Sequence, residues 1–352
     1  MKKASLLLAS LMLIAILSAC SGTSEAPGTT TPEATENSGN TAPETGTTTT
    51  PESTPSAEEA KIIANKQLVL NMYNDILNGH QLDKADQYLA EDYIQHNPYA
   101  ATGREGFVSF FTPFIKENPD YKVNLRGMIG QGDLVAVFTT PDTSASTPSP
   151  GTTESNESSS NTESAASTSA STAVAPGAVV DIYRIADGKI AEHWDVSQSA
   201  GSTTDNASLQ NLLPSASTEA KLADTDRATV AANASFVSNF VNSFFNEHNT
   251  DIANEAVSEN VTQHGSDIQN GRSALISHYL TQFRSNPNSK ATVSNTIAEG
   301  DLVLVHSHMQ TSDTDRGNSV INIFRVDNGQ IAEMWTLSQP VPEKSANDNT
   351  MF

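Results

Sequence analysis

The chain of 352 residues carries 41 acidic against 19 basic side chains, a formal net charge of −22, and only 37% of its residues are apolar. Its length suits about two domains, and so lean an apolar content predicts that part of the chain stays outside any core. The acidic balance excludes nucleic-acid binding through a basic surface and attraction to an anionic membrane, and the single cysteine excludes an intramolecular disulfide.

Residues 1–19 read as a signal peptide. Lys2 and Lys3 form a basic start, Ala4–Leu17 is an apolar run too short to span a bilayer comfortably, and Leu17-Ser18-Ala19-Cys20 follows. That motif resembles the lipobox of a bacterial lipoprotein precursor. The resemblance implies cleavage before Cys20, acylation of its thiol and an extracytoplasmic protein held to the cell membrane by the lipid on Cys20. An ordinary secretory signal with a chance cysteine is the alternative. Residues 20–60 form a Ser/Thr/Pro/Glu tether: from Ser21 to Ala60 there is no large apolar residue and no Lys or Arg. Such a stretch cannot bury enough surface to offset its chain entropy and is expected to be disordered. Residues 141–173 have the same character.

The remainder is an internal duplication. Asn65, Val69, Asn71, Asn74, Asn78, His80, Asp83 and Ala85 recur 168 residues later as Asn233, Val237, Asn239, Asn242, Asn246, His248, Asp251 and Ala253. Gln95-His96 recurs at that offset as Gln263-His264, and Gly132-Asp133-Leu134-Val135 as Gly300-Asp301-Leu302-Val303. Past residues 141–173 the offset drops to 141, pairing Ile190-Ala191-Glu192-His193-Trp194 with Ile331-Ala332-Glu333-Met334-Trp335. The first copy, 61–199, therefore carries a disordered insert, which a surface loop tolerates at little cost. A linker 200–227, a second copy 228–340 and a tail 341–352 follow.

Each copy predicts the same elements. Val69, Met72, Tyr73, Ile76 and Leu77 make a helical stripe, matched by Phe236, Val237, Phe240, Val241, Phe244 and Phe245. A short helix near Leu82–Leu89 leads into Tyr93-Ile94-Gln95-His96, and a second amphipathic helix carries Phe107, Phe110, Phe111, Phe114 and Ile115. Strands are expected at Tyr121–Gly130, Asp133–Thr140, Ala178–Ile185 and Lys189–Ser199, the last two joined by the turn Ala186-Asp187-Gly188. Helices followed by a run of strands indicate an α+β fold with helices on one face of a curved antiparallel sheet.

Tyr93-Ile94-Gln95-His96-Asn97-Pro98 and Asp181–Asp195 together resemble SnoaL-like proteins, polyketide cyclase-like members of the nuclear transport factor 2-like and ketosteroid-isomerase-like superfamily. The resemblance covers Lys61–Ser199 without the insert and about Ala228–Pro340. It implies two tandem cone-shaped domains, each a curved antiparallel sheet covered by helices around a pocket. Family activities run from aldol cyclisation to none known, so reaction does not follow from fold.

The family's acid/base Asp matches Asp195. Strand alternation puts Ala191, His193, Asp195 and Ser197 on one face and Ile190, Glu192, Trp194 and Val196 on the other, so His193 would enter the pocket with Asp195. A carboxylate buried there has a raised pKa and can move a proton alpha to a carbonyl. His96 is a candidate to polarise the substrate oxygen, and Tyr93, Gln95 and Asn97 could add hydrogen bonds. His193 and Asp195 also read simply as a satisfied polar pair. His96, His193 and Asp195 have the composition of a metal triad with nothing to fix its spacing, so no metal and no cofactor is expected.

The second copy departs where it matters, with Met334 and Thr336 in place of His193 and Asp195. It keeps His264, and its His306 and His308 replace Phe138 and Thr140; these three are either a rearranged binding site or of no functional consequence. Two functions stay open: a lipoprotein binding a small hydrophobic or carbonyl-containing molecule in the first copy, or a cofactor-independent cyclase or isomerase using Asp195. Expected partners are that small molecule and the membrane, with no nucleic acid. Trp194 and Trp335 on the outer faces suggest an intramolecular pseudo-dimer of the two copies or a homodimer.

Overall fold

The computed structural model describes residues 54–142, 176–199, 211–264 and 268–352. The signal peptide, Cys20, the tether up to residue 53 and the insert from residue 143 onward lie outside these residues.

Ser56 starts α1 (Ala57–Met72): its Oγ accepts from the Glu59 amide while the Glu59 carboxylate accepts from the Ser56 amide. This capping box satisfies two otherwise free amides, so the helix begins ahead of Lys61, where composition alone placed the domain boundary. Val69, Met72, Tyr73 and Ile76 form its buried stripe, continued through a π-helical turn at Tyr73–Leu77. A short α2 (Ala85–Tyr88), β1 (Leu89–Gln95) and α3 (Arg104–Glu117) follow. Then come β2 (Val123–Gln131), β3 (Leu134–Pro141), β4 (Pro176–Ala186) and β5 (Lys189–Ser199). The strand order is β1-β5-β4-β3-β2. All neighbours are antiparallel except β1, which runs parallel to β5. The sequence predicted β1 only as a lead out of the short helix, because its partner strand lies about 100 residues away.

The second domain repeats the plan with α4 (Arg227–Val241), a π-helical turn at Asn242–Asn246, α5 (Ala253–Ala256), β6 (Val257–His264) and α6 (Arg272–Ser285). Its strands β7 (Lys290–Glu299), β8 (Leu302–Gln310), β9 (Asn318–Asp327) and β10 (Gln330–Pro340) complete a sheet of order β6-β10-β9-β8-β7. The fold is α+β, two five-stranded sheets with helices.

Strict alternation along β5 fails at one point. Arg184 pairs with Glu192 but Ile185 pairs with Ile190, so Ala191 is an extra residue in a bulge. A bulge reverses the facing of everything beyond it. Ile190 consequently packs inward with Ile185 and Val135, whereas Trp194 and Val196 face outward. The second domain has the same irregularity between Ile331 and Glu333.

The outer faces of the two sheets share one apolar layer. Phe138, Ile182, Trp194 and Val196 from the first pack in a cluster with Leu304, Ile323, Trp335 and Leu337 from the second. Two polar bridges cross between edge strands with near two-fold symmetry. The Gly130 amide donates to Glu299 Oε2 (2.6 Å) and the Ala298 amide to Gln131 Oε1 (2.8 Å). Symmetry breaks at Lys66 of α1, wholly buried, whose Nζ donates to Glu299 Oε1 at 2.7 Å and to the Lys221 carbonyl. Gly130 makes room for that helix, since a Cβ there would stand 2.8 Å from Ile62 Cγ2. The connecting segment also packs: Leu213 is buried in the shared layer, and the Met128 amide donates to the Ser217 carbonyl.

The segment after β10, Val341–Phe352, lies on the loop that follows β1. The Ala346 amide donates to the Pro98 carbonyl, Asn347 Nδ2 donates to the carbonyls of Asn97 and Ala100, and Asn349 Nδ2 donates to the Gln95 carbonyl.

Candidate functional site

The β4–β5 pairing sets Asp181 opposite Asp195 and Tyr183 opposite His193, all four on the inner face. Tyr73 reaches them from the end of α1, and Tyr93, Gln95 and Asn97 from β1 and the loop beyond it. The result is a buried hydrogen-bond network. Tyr183 Oη donates to Tyr73 Oη, Tyr73 Oη donates to Asp181 Oδ2 at 2.5 Å, and His193 Nε2 meets Asp181 Oδ1 at 2.9 Å. His193 Nδ1 meets Gln95 Oε1 at 2.9 Å, and Gln95 Nε2 donates to Tyr93 Oη at 3.2 Å. An oxygen able to accept a ring proton stands at each nitrogen of His193.

Asp195 is connected differently. Its Oδ2 accepts from Asn97 Nδ2 at 2.9 Å, while the buried Oδ1 has no partner among the described residues. Burial pushes this carboxyl up to about 6; Asp181 adds to the shift, and His193 and the Asn97 bond oppose it. Burial works to lower His193, but the Asp181 and Asp195 carboxylates outweigh it and its pKa is raised. Burial, with nearby carboxylates, holds the Tyr73, Tyr93 and Tyr183 phenols neutral, well above the ordinary tyrosine range. The chemical content of the arrangement is one carboxylate that titrates near neutrality with an open hydrogen-bonding position.

Of the residues singled out from sequence, His193, Asp195, Tyr93, Gln95 and Asn97 come together here. His96 does not join them. It stacks on Trp194 on the outer side of the sheet (ring centroids 4.6 Å apart) and contacts Glu192 Oε1 and the Thr350 carbonyl. It can neither orient a substrate at Asp195 nor complete a metal triad with His193, because the sheet lies between them. His264 repeats this, stacked on Trp335 at 4.6 Å and in contact with Glu333. His306 and His308 also face outward. His306 is fully buried against Ser319 Oγ, with its pKa lowered to about 3 by burial and by nearby His96. His308 stacks on Phe352.

Sequence reasoning missed Asp181, Tyr73 and Tyr183. A usable signal was present in the duplication. Their counterparts are Asn322, Val241 and Phe324, so these three polar positions change together with His193 and Asp195, now Met334 and Thr336. The outward set His96, Trp194, Glu192 and Arg184 instead recurs unchanged as His264, Trp335, Glu333 and Arg325.

Tyr93 and Tyr183 of this network are both almost fully buried. Two clefts described in the molecule lie elsewhere. One of about 360 Å³ sits between α2 and the start of α3, lined by Leu82, Asp86, Arg104 and Val108. Another of about 290 Å³ lies in the second domain between the end of α4 and strands β7 and β8.

Residues 67–206 match the family model described as SnoaL-like polyketide cyclase, and residues 237–334 match the model of the SnoaL-like domain. Among solved structures, the chain is similar to a protein assigned as a SnoaL-like polyketide cyclase from Jannaschia sp. CCS1. The two are 18% identical over 33% of this chain and 91% of that one, with a TM-score of 0.29. An NTF2-like protein of unknown function from Mesorhizobium loti is 19% identical over 34% and 98% of the two chains, with a TM-score of 0.28. TsrD from Streptomyces laurentii is 16% identical over 33% and 92%, with a TM-score of 0.27. No curated protein matches the chain.

Proposed function

We propose, since the chain belongs to the SnoaL-like family in both of its halves, that its first domain binds a small hydrophobic molecule bearing a carbonyl or hydroxyl group at Asp195. The observation that carries this reading is the unpartnered Asp195 Oδ1. A buried carboxylate oxygen left without a donor costs about 1–3 kcal/mol, and a ligand hydroxyl or enol supplies that donor. Asp181, in the same network, has both oxygens taken and offers no such place.

A second reading, proton-transfer catalysis of the cyclase or isomerase kind, draws on the carboxyl's position near 6. That value suits a group that must take and return a proton near neutral pH. The second domain, with Thr336 and Met334, has no corresponding acid. The lipobox-like motif further supports a protein anchored outside the cytoplasm through Cys20, and Cys20→Ser should then abolish lipid labelling and membrane fractionation.

Native mass spectrometry of the chain from residue 54 onward tests the binding reading. A co-purifying small molecule lost in Asp195→Asn supports it. A ligand retained by Asp195→Asn refutes it. Turnover of the identified ligand, absent in Asp195→Asn, would separate the catalytic reading from binding alone.

A further inference from the structure

The second domain's cleft has a history legible in the duplication. Eight residues line it, and each has a counterpart in the first domain. Asn242, Asn246 and Val305 are matched by the identical Asn74, Asn78 and Val137. The other five, Ser238, Val241, Ala291, Val293 and Thr296, are matched by Leu70, Tyr73, Val123, Leu125 and Met128. Every difference is in one direction: the second domain has the smaller side chain. In the first domain those five larger residues belong to the apolar core or pack against it. The cleft is thus the space they fill there, left open here.

Open space in an otherwise close-packed interior is destabilising in proportion to its size. The floor of the cleft, Val241, Ala291 and Val305, is buried, and Val293 at its rim is 46% exposed. None of the eight lining residues is charged. Asn246 is committed to the Ala291 backbone, as Asn78 is to Val123, so it shapes the cleft and leaves recognition to others. Ser238 Oγ donates to the Ala234 carbonyl and keeps its acceptor lone pairs at the rim. Asn242 donates to Glu247, which sets an anionic group behind the rim and disfavours an anionic ligand.

We propose that this cleft is a second binding site, distinct from the Asp195 network and independent of it. It takes a small neutral molecule, a ring or short branched chain carrying one hydroxyl. The apolar part sits on Val241, Ala291 and Val305, and the hydroxyl donates toward Ser238 and Asn242. At about 290 Å³ the space is at the lower end of small-molecule sites, which suits a single-ring ligand.

The test uses 4-fluorobenzyl alcohol as the probe, followed by ¹⁹F line broadening on the chain from residue 54 onward. Saturable binding is expected, weakened at least tenfold by refilling the cleft with the first domain's residues, Ser238→Leu with Thr296→Met. The refilled protein should keep or raise its thermal midpoint, because those side chains already pack in the first domain. If the double variant fails to fold, Val293→Leu provides the milder refilling. Absence of saturable binding to the unaltered protein overturns the proposal, as does equal binding by a folded, refilled variant. Binding abolished by Asp195→Asn and untouched by refilling would also overturn it, placing the probe in the first domain while leaving the reading of that domain standing.

Discussion

The two domains share a backbone plan and differ in what they do with its interior. In the first, Tyr73, Asp181, Tyr183, His193 and Asp195 build a polar network at the centre of the cone. In the second, Val241, Phe324 and Met334 belong to a continuous apolar core, and Thr336 Oγ1 simply donates to Asn322. The outer faces changed far less, retaining the His–Trp stacks and the Arg–Glu pairs. Duplication thus kept the surfaces that hold the copies together and left the polar network in one interior alone. A polar network that is only partly retained leaves unpaired groups, so its members are replaced together.

The comparison can be broken most forcefully at its asymmetric joint. Glu299→Gln copies Gln131 of the first domain but strands the Lys66 ammonium in a buried site. A loss of about 3–5 kcal/mol is expected by denaturant unfolding, and adding Lys66→Ala, the counterpart of Ala234, should recover most of it.

His306 offers a pH-resolved version. Its pKa is about 3 in the fold against about 6.5 when unfolded. Its contribution to stability is therefore complete above pH 6.5 and lost as pH falls toward 3, by roughly 1 kcal/mol per pH unit. His306→Phe, restoring the Phe138 counterpart, should flatten that acid limb.

Asp195 has the opposite sign. A folded pKa near 6, above its unfolded value, gives stability that is full below about pH 4 and lost as pH rises to 6. Asp195→Asn should remove that slope and raise the thermal midpoint at pH 7 by a few degrees.

The smallest effect concerns the segment after β10. Asn347→Ala with Asn349→Ala frees the loop that carries Asn97, whose bond holds the Asp195 pKa down. The Asp195 carboxyl signal in ¹³C NMR should then titrate higher by a fraction of a unit, while resonances from the second domain's core stay in place.

Much of this architecture was legible in the chain. The duplication, the helical stripes and the bounds of β5 all follow from spacing and turn residues. What escaped was non-local or depended on one residue of register. β1 has its partner far downstream. The Ala191 bulge turns Ile190 away from the face that alternation assigns it. Tyr73 sits in an apolar stripe where a tyrosine is indistinguishable from core until Asp181 is seen beside its hydroxyl, 108 residues on. His96 follows the end of its strand, where alternation no longer dictates direction.

The docked segment Val341–Phe352 has a consequence for how the protein comes into being. Asn97, the one side chain bonded to Asp195 among the described residues, sits in a loop fastened by Asn347, 250 positions later. Contacts of such sequence separation form late, after the intervening chain has closed. The first domain's helices and sheet can assemble as soon as β5 is made. Its Asp195 site reaches final geometry only when the second domain has folded and its following segment has docked. The loop around Asp195 is therefore completed by residues made last, although the sheet that carries Asp195 is made first.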